Sequence, residues 1–313
     1  MGASCKKKNN KKLTNFKIFS IVHSMLSDKD FNKIISWALE LKIENFPRSK
    51  EELENIEELD LYGLPCNLFL DEISKLKSLK RIWFMYNDFD EIPNFIYSLE
   101  NLEEINLSGN NISFIDDGIS NLKNLKIFNI YENKISSISK EIINLKKLEV
   151  LNISENNLNN IQEEIFYLEN IKNLDLSANK ITNIDLKISN LKNIKALDLS
   201  SNNIEIIPKE IAYLKKLKYL NISYNKYKTL PEELFNLTNL QTLLIGSNNL
   251  KELSDSICKL KNLEELHILS SSIKKLPELK KLKKLKELIL IDTKIKNKNI
   301  FDNKFFKSVK IIF

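Results

Sequence analysis

Glycine and proline are scarce in this 313-residue chain, with 5 and 6 copies. That excludes a linker-rich chain. It also leaves no glycine-rich loop of the kind that cradles phosphate. Cysteines number three, Cys5, Cys66 and Cys258, and no two have C-x-x-C spacing. An odd, scattered set supports neither a disulfide framework nor a zinc site. The two histidines, His23 and His267, stand far apart, and no nucleophile elbow or H-E-x-x-H motif occurs. No enzyme, metal or cofactor is therefore expected. No run of about 20 apolar residues exists to span a bilayer. The apolar segment 16–26 is short and interrupted by Lys17 and His23.

The net charge of +6 conceals an asymmetry. Residues 1–20 hold six lysines and no acid, for +6, and residues 271–313 carry +9, which leaves the stretch between them at −9. Basic ends either keep a long molecule soluble or draw it to an anionic surface. A nucleic-acid partner is not expected, because the middle has no basic stripe interleaved with aromatics.

What the chain has in abundance is a period. Asparagine returns every twenty-three residues at Asn87, Asn110, Asn133, Asn156, Asn179, Asn202, Asn225 and Asn248. Each closes the phrase L-x-x-L-x-L-x-x-N, as in Leu102-x-x-Ile105-x-Leu107-x-x-Asn110. Repeat starts run from Ile56 through Leu79 to Leu263, with an eleventh at Leu285, one residue early. The asparagine gives way to Leu64 in the first repeat and to Ser271 and Thr293 in the last two. Atypical end repeats are what capping of a stack requires.

The physics of one unit is readable. The L-x-L core predicts a short strand with alternating inward and outward residues, stacked on its neighbours at roughly 4.8 Å. A buried asparagine offers both a carbonyl and an amide NH₂. It is expected to satisfy backbone groups where the chain turns off the sheet. Ile112, Ile115, Ile119 and Leu122 exemplify the outer side, where Pro93, Pro208, Pro231 and Pro277 recur. Proline there fixes an extended or turn conformation and ends the ladder. The phrase together with Ile92-Pro93-Asn94-Phe95-Ile96-Tyr97-Ser98-Leu99 resembles the twenty-three-residue class of leucine-rich repeats. That class includes the intracellular Ras-group-related proteins. The resemblance covers about residues 55–300.

The implied fold class is α/β, a right-handed solenoid curved into a horseshoe. A parallel sheet lines its concave face, short helical or 3₁₀ turns its convex face, and a helical cap its N-terminal end. The expected domains are a disordered basic tail (1–12), the helical cap (13–54), a solenoid of about eleven repeats (55–300) and a C-terminal cap (301–313). In the cap, Phe31, Ile34, Ile35, Ala38 and Leu41 share one helical face, Ser27 or Asp28 supplies the N-cap, and Pro47 ends the region. Phe301, Phe305, Phe306 and Phe313 are expected to fold over the far end. Extracellular members of the family carry cysteine-rich caps, which this chain lacks, so the resemblance implies a reducing compartment. Sequons such as Asn106-Leu107-Ser108 fall where the repeat phrase itself writes Asn and Ser.

Relatives of this kind act by binding proteins, including small GTPases and phosphatase subunits. A monomeric scaffold or adaptor for a protein partner is therefore expected, with a regulatory subunit of a phosphatase or small-GTPase pathway as the alternative. On the concave face the middle columns carry small polar residues, such as Asn152, Ser154, Asp175 and Ser177. Tyr62, Arg81, Trp83, Met85, Tyr86 and Tyr131 depart from that filler. Aromatics and arginine are the usual anchors of an interface, which makes these six the candidate partner-binding residues. The rival role for Trp83 is packing beneath the N-terminal cap. At the far end Leu244, His267, Leu269, Ile289 and Ile291 make the face apolar again.

The N-terminus reads Met1-Gly2-Ala3-Ser4-Cys5-Lys6-Lys7-Lys8. It resembles an acylation signal, with Gly2 for myristate and Cys5 for palmitate, although Lys6 stands where the pattern wants Ser or Thr. Two acyl chains with a basic run anchor stably to an anionic membrane. That reading expects a cytoplasmic protein held peripherally on the inner face of a membrane. Gly2-Ala3-Ser4-Cys5 also resembles the end of a bacterial lipobox, the second alternative being a lipid-anchored surface protein.

Overall fold

The computed structural model describes residues 26–44, 46–295 and 304–313. Twelve three-residue strands form one parallel sheet, one strand per turn of a solenoid. In chain order they are β1 (Glu58–Asp60), β2 (Arg81–Trp83), β3 (Glu104–Asn106), β5 (Ile127–Asn129), β7 (Val150–Asn152), β8 (Asn173–Asp175), β9 (Ala196–Asp198), β10 (Tyr219–Asn221), β11 (Thr242–Leu244), β12 (Glu265–His267), β13 (Glu287–Ile289) and β14 (Lys310–Ile312). Two further strands, β4 (Phe114–Ile115) and β6 (Ser137–Ile138), pair with each other in a second, two-stranded sheet outside the main one. Every main strand carries one central apolar residue. Leu59, Ile82, Ile105, Phe128, Leu151 and their counterparts through Leu288 are buried and stack in register. The two flanking residues of each strand therefore face the concave side.

Opposite the sheet, five-residue 3₁₀ turns bury one aliphatic residue each, among them Ile96, Ile119, Ile142, Ile165, Ile188 and Ile211. Two kinds of residue start most of these turns, Gln162 before Ile165 being an exception with no side-chain cap. Pro93, Pro208 and Pro231 do it with φ of −59°, −71° and −66°, needing no side-chain bond. Asp116, Ser139, Asp185 and Ser254 do it by accepting a backbone N–H two residues on. Both solutions fix the same extended-to-turn step.

The asparagines stitch successive coils together. Asn110 donates its amide to Phe84 O at 2.9 Å and to Leu107 O at 2.9 Å, and its Oδ1 accepts from Asn87 N at 3.0 Å and Phe89 N at 3.1 Å. The scheme recurs, for example Asn179 to Ile153 O at 2.9 Å and from Leu158 N at 2.9 Å. Just before each asparagine the chain goes left-handed, with φ between 50° and 55° at Tyr86, Glu132, Glu155, Ala178, Ser201, Tyr224 and Ser247. That conformation costs an L-residue roughly 1–2 kcal/mol. The buried amide, bonded on both sides, offsets it. A second ladder runs along the exterior, where Asn101, Asn124, Asn170, Asn193, Asn239 and Asn262 each donate to a carbonyl of the preceding coil at 2.8–2.9 Å. Where Lys147 and Lys216 take that place, each Nζ donates back to Asn124 and Asn193 Oδ1 at 2.7 Å.

The N-terminal end is covered by α1 (Asp28–Glu40) and α2 (Lys50–Glu54). Ser27 caps α1 by accepting from Asp30 N, and Ile34, Trp37 and Ala38 are buried. The helix starts at the cap expected from the sequence. It stops at Glu40, and Lys42 follows with φ of 54°, a helix-ending conformation, while 13–25 lie outside the described residues. Past Pro47, Ser49 and Glu52 form a capping box that starts α2, an element not expected there. Trp37 donates its indole N–H to Leu68 O at 2.5 Å and packs edge-on against Phe46 at 6.0 Å, locking the cap onto the first repeat. At the other end the tail contributes β14, in register with β13 through Leu288 and Ile311. The tail thus extends the sheet as well as closing it, with Phe305 and Phe306 half-buried against the core.

Candidate binding surface

The concave wall has two textures. In five repeats the last strand residue is Asn or Asp and a serine follows two positions later. The Asn152 side chain accepts from Ser154 N at 2.9 Å and Oγ at 2.7 Å, Asp175 from Ser177 at 2.9 and 2.7 Å, and Asp198 from Ser200 at 2.9 and 2.6 Å. Asn221 with Ser223 and Asn106 with Ser108 repeat the arrangement. These polar groups terminate the strand, so the middle of the face is occupied with its own backbone. A depression of about 340 Å³ lies there, floored by Ala196 and flanked by Asp175, Asp198 and Tyr219. Burial, the Asp198 charge and its hydrogen bond push the Tyr219 phenol up to about 12.

The N-terminal part is built from large side chains. Trp83 is half-buried and donates its indole N–H to Glu104 Oε1 at 3.0 Å, on the following strand. Its register partners are Asp60 and Asn106. Asn106 in turn donates to Met85 Sδ at 3.2 Å. Tyr86 occupies the left-handed position, which aims its ring along the array. It passes over Gly109, where a Cβ would overlap the ring, and donates its hydroxyl to Glu132 Oε2 at 2.8 Å. The Tyr131 hydroxyl is 3.5 Å from the Tyr86 hydroxyl, and the Tyr62 ring centroid lies 5.4 Å from that of Tyr86 on the other side. The hydrogen bond with Tyr131, then that with Glu132, holds the Tyr86 phenol well above its usual range, so it stays a donor. Tyr62 and Tyr86 are 62% and 40% exposed, which leaves a fixed aromatic ridge in contact with solvent.

Of the six residues singled out from the sequence, the structure brings Tyr62, Tyr86 and Tyr131 together directly. Trp83 and Met85 lie beside them through Glu104 and Asn106. Arg81, on the same face, is ion-paired with its register partner Glu58 on β1. Gly109, Glu132 and Glu104 were missed. Gly109 carries the one readable signal, since glycine takes that repeat position only here and at Gly63. The far patch is apolar without aromatic anchors. His267 Nε2 sits 3.6 Å from Glu287 Oε1, and Gly246 is required because the Leu269 backbone closes on it. Gly2 and Cys5 lie outside the described residues. Among the described residues no group of three or more His, Cys, Asp or Glu could hold a metal ion, and no helix is long and apolar enough to cross a membrane.

Family models match most of the chain. One described as leucine rich repeat matches residues 100–158, 146–204 and 169–227, and one described as leucine-rich repeat region matches 205–307. Comparison with curated proteins gives no match. Among solved structures, an internalin (inlF) from Listeria monocytogenes is 22% identical over 93% of this chain and 83% of its own, with a TM-score of 0.76. Internalin C2 from the same organism is 29% identical over 63% of this chain and 82% of its own, TM-score 0.56. A plant peptide hormone receptor, RGFR1 in complex with RGF2, is 26% identical over 75% of this chain but 38% of its own, TM-score 0.63. These matches are to leucine-rich repeats at large and do not single out the Ras-group class. With the repeat phrase, the asparagine-stitched coils and family matches running unbroken from 100 to 307, the chain belongs to the leucine-rich repeat family.

Proposed function

We propose that this protein is an interaction scaffold that docks a protein partner on the N-terminal part of its concave sheet. One observation carries the reading: the self-satisfied Asx–Ser wall is interrupted where Trp83, Met85, Tyr86 and Tyr131 stand. Large aromatic side chains held in place lose little rotamer freedom on binding, which is why such residues dominate interface energetics. Asp60, Glu104 and Glu132 around the ridge favour a partner that presents apolar groups beside a basic side chain. The plant receptor solved with a bound ligand, RGF2, supports partner binding by a related solenoid. The test is affinity capture with the full chain, identification of the partner by mass spectrometry, and titration of that partner against Trp83→Ala and Tyr131→Ala. Each is expected to weaken binding at least tenfold. Undiminished binding by a folded double variant removes the ridge from the function.

We also propose that Gly2 and Cys5 are acylated and tether the scaffold to the cytosolic face of an anionic membrane, on the strength of the Met-Gly start, the nearby cysteine and the lysine run. Alkyne-myristate labelling should be present in the wild type and absent in Gly2→Ala. A wild type that takes up no label leaves an untethered scaffold.

A further inference from the structure

A cavity of about 600 Å³ opens among the turns opposite the concave sheet, between the first and third repeats. It is independent of the concave ridge. Its apolar wall is aromatic: Phe69 packs 4.8 Å from Phe89 and 6.3 Å from Phe95, centroid to centroid, and Phe114 stands at the edge, 40% exposed. Phe114 is held out there by the pairing of β4 with β6. Pro93, Asn94 and Ser113 also line it, and Asp71, Asp90 and Glu91 stand exposed at the rim. No lysine, arginine or histidine lines the cavity, and none of the three carboxylates is ion-paired among the described residues.

Two independent features point to one ligand chemistry. The faces of aromatic rings carry negative charge density and attract cations. Three uncompensated carboxylates add an attractive field for the same sign. An anion is excluded by both. A bare metal ion is disfavoured, because the ring wall supplies no ligand to replace its hydration shell. What suits an apolar, ring-lined wall with an acidic rim is a cation that is itself apolar on its surface. We propose that this cavity binds an alkylated ammonium group, either on a free small molecule or on the methylated lysine of a protein.

The experiment titrates the full chain by calorimetry with choline, with a peptide carrying trimethyllysine, and with 3,3-dimethylbutan-1-ol, the uncharged isostere of choline. Saturable binding of choline, of the peptide or of both is expected, and which one binds identifies the source. The neutral isostere should bind at least about tenfold more weakly, since it lacks the charge that the rings and carboxylates recognise. Phe114→Ala is exposed and should fold normally, yet should lower affinity by about tenfold. The double variant Asp90→Asn, Glu91→Gln should weaken binding while steepening nothing in its urea unfolding curve. Equal binding of the isostere, no saturation by either cation, or wild-type affinity in folded Phe114→Ala overturns the proposal.

Discussion

The second to fourth repeats and the middle four share a backbone, a period and a buried asparagine, and they differ in what the flanking side chains are bonded to. From Asn152 to Ser223 the Asx side chains are bonded to their own strand ends, and Tyr219 and Asn221 reach only to Asp198 of the adjacent repeat. From Tyr62 to Glu132 Asn106 keeps its serine partner, but the large side chains reach across to other repeats, Tyr86 spanning two of them to meet Glu132. A repeat that satisfies itself can be copied indefinitely and recognises little. Recognition begins where the copy is broken and side chains depend on non-adjacent coils. The asparagine ladder is weaker only at its first member, since Asn110 already bonds on both sides. Asn179 makes four hydrogen bonds, to Ile153 O, Leu176 O, Ser177 O and from Leu158 N, whereas Asn87 makes two through its side chain, to Leu61 O and from Leu64 N.

That difference is largest in stability. Asn179→Ala strands several buried backbone groups and is expected to cost about 3 kcal/mol, at roughly 1–3 kcal/mol per unsatisfied group. Asn87→Ala should cost about half as much, again from the number of groups left unpaired. Urea midpoints at unchanged slope measure both. Equal losses would mean that the first rung is stitched as tightly as the middle of the array. Next in size is binding. Trp83→Ala should weaken the partner by about 2 kcal/mol, as an interface anchor does. Ser177→Ala should leave binding unchanged and remove about 1 kcal/mol of stability, the worth of one hydrogen bond. A Ser177 variant that loses affinity would place recognition in the middle of the face.

A smaller effect isolates the ridge itself. Gly109 has φ of 68°, and a methyl group there meets the Tyr86 ring. Other repeats tolerate a side chain at this left-handed position, Glu132 and Glu155 among them, so Gly109→Ala should cost only about 1 kcal/mol. The ring must swing aside, however, and lose Glu132 and Tyr131. The Tyr86 phenol should then fall back to its ordinary range in an ultraviolet pH titration. A phenol that stays high would mean that the ridge is not set by the glycine gap.

How far all this is legible in the sequence depends on range. A single-period repeat writes itself at a fixed spacing, so the strands, the stitched coils and the solenoid could be read from Asn87 to Asn248. Contacts that skip a period leave no such mark, and Tyr86 to Glu132 is one. The outer ladder through Asn101 and Asn124 is periodic too, but it is masked by the abundance of asparagine and by the lysines that replace it. The capping box of Ser49 and Glu52 was readable and was hidden by Pro47, which marks an end and says nothing of a new start. Strand β14 lacks both the leucine phrase and the asparagine, so only its register with β13 reveals it.

The finest test concerns charge in the middle column. Asp175 stands where Asn152 and Asn221 stand in other repeats, and its Oδ1 serves Ser177 as theirs serve Ser154 and Ser223. Burial raises its carboxyl above the ordinary value of 3.8, the two Ser177 hydrogen bonds pull it back down, and the Asp198 charge pushes it further up. A carboxyl raised in the folded state holds its proton more tightly there than in the unfolded chain. Its contribution to stability is therefore best below 3.8 and declines as pH climbs through the raised folded value. Asp175→Asn keeps the acceptor and removes the ionisation. The variant should match the wild type at pH 3 and exceed it at pH 7 in urea midpoint, with the same partner affinity. A loss at pH 7 would mean that the negative charge is itself used, and that the middle of the face is more than a self-satisfied wall.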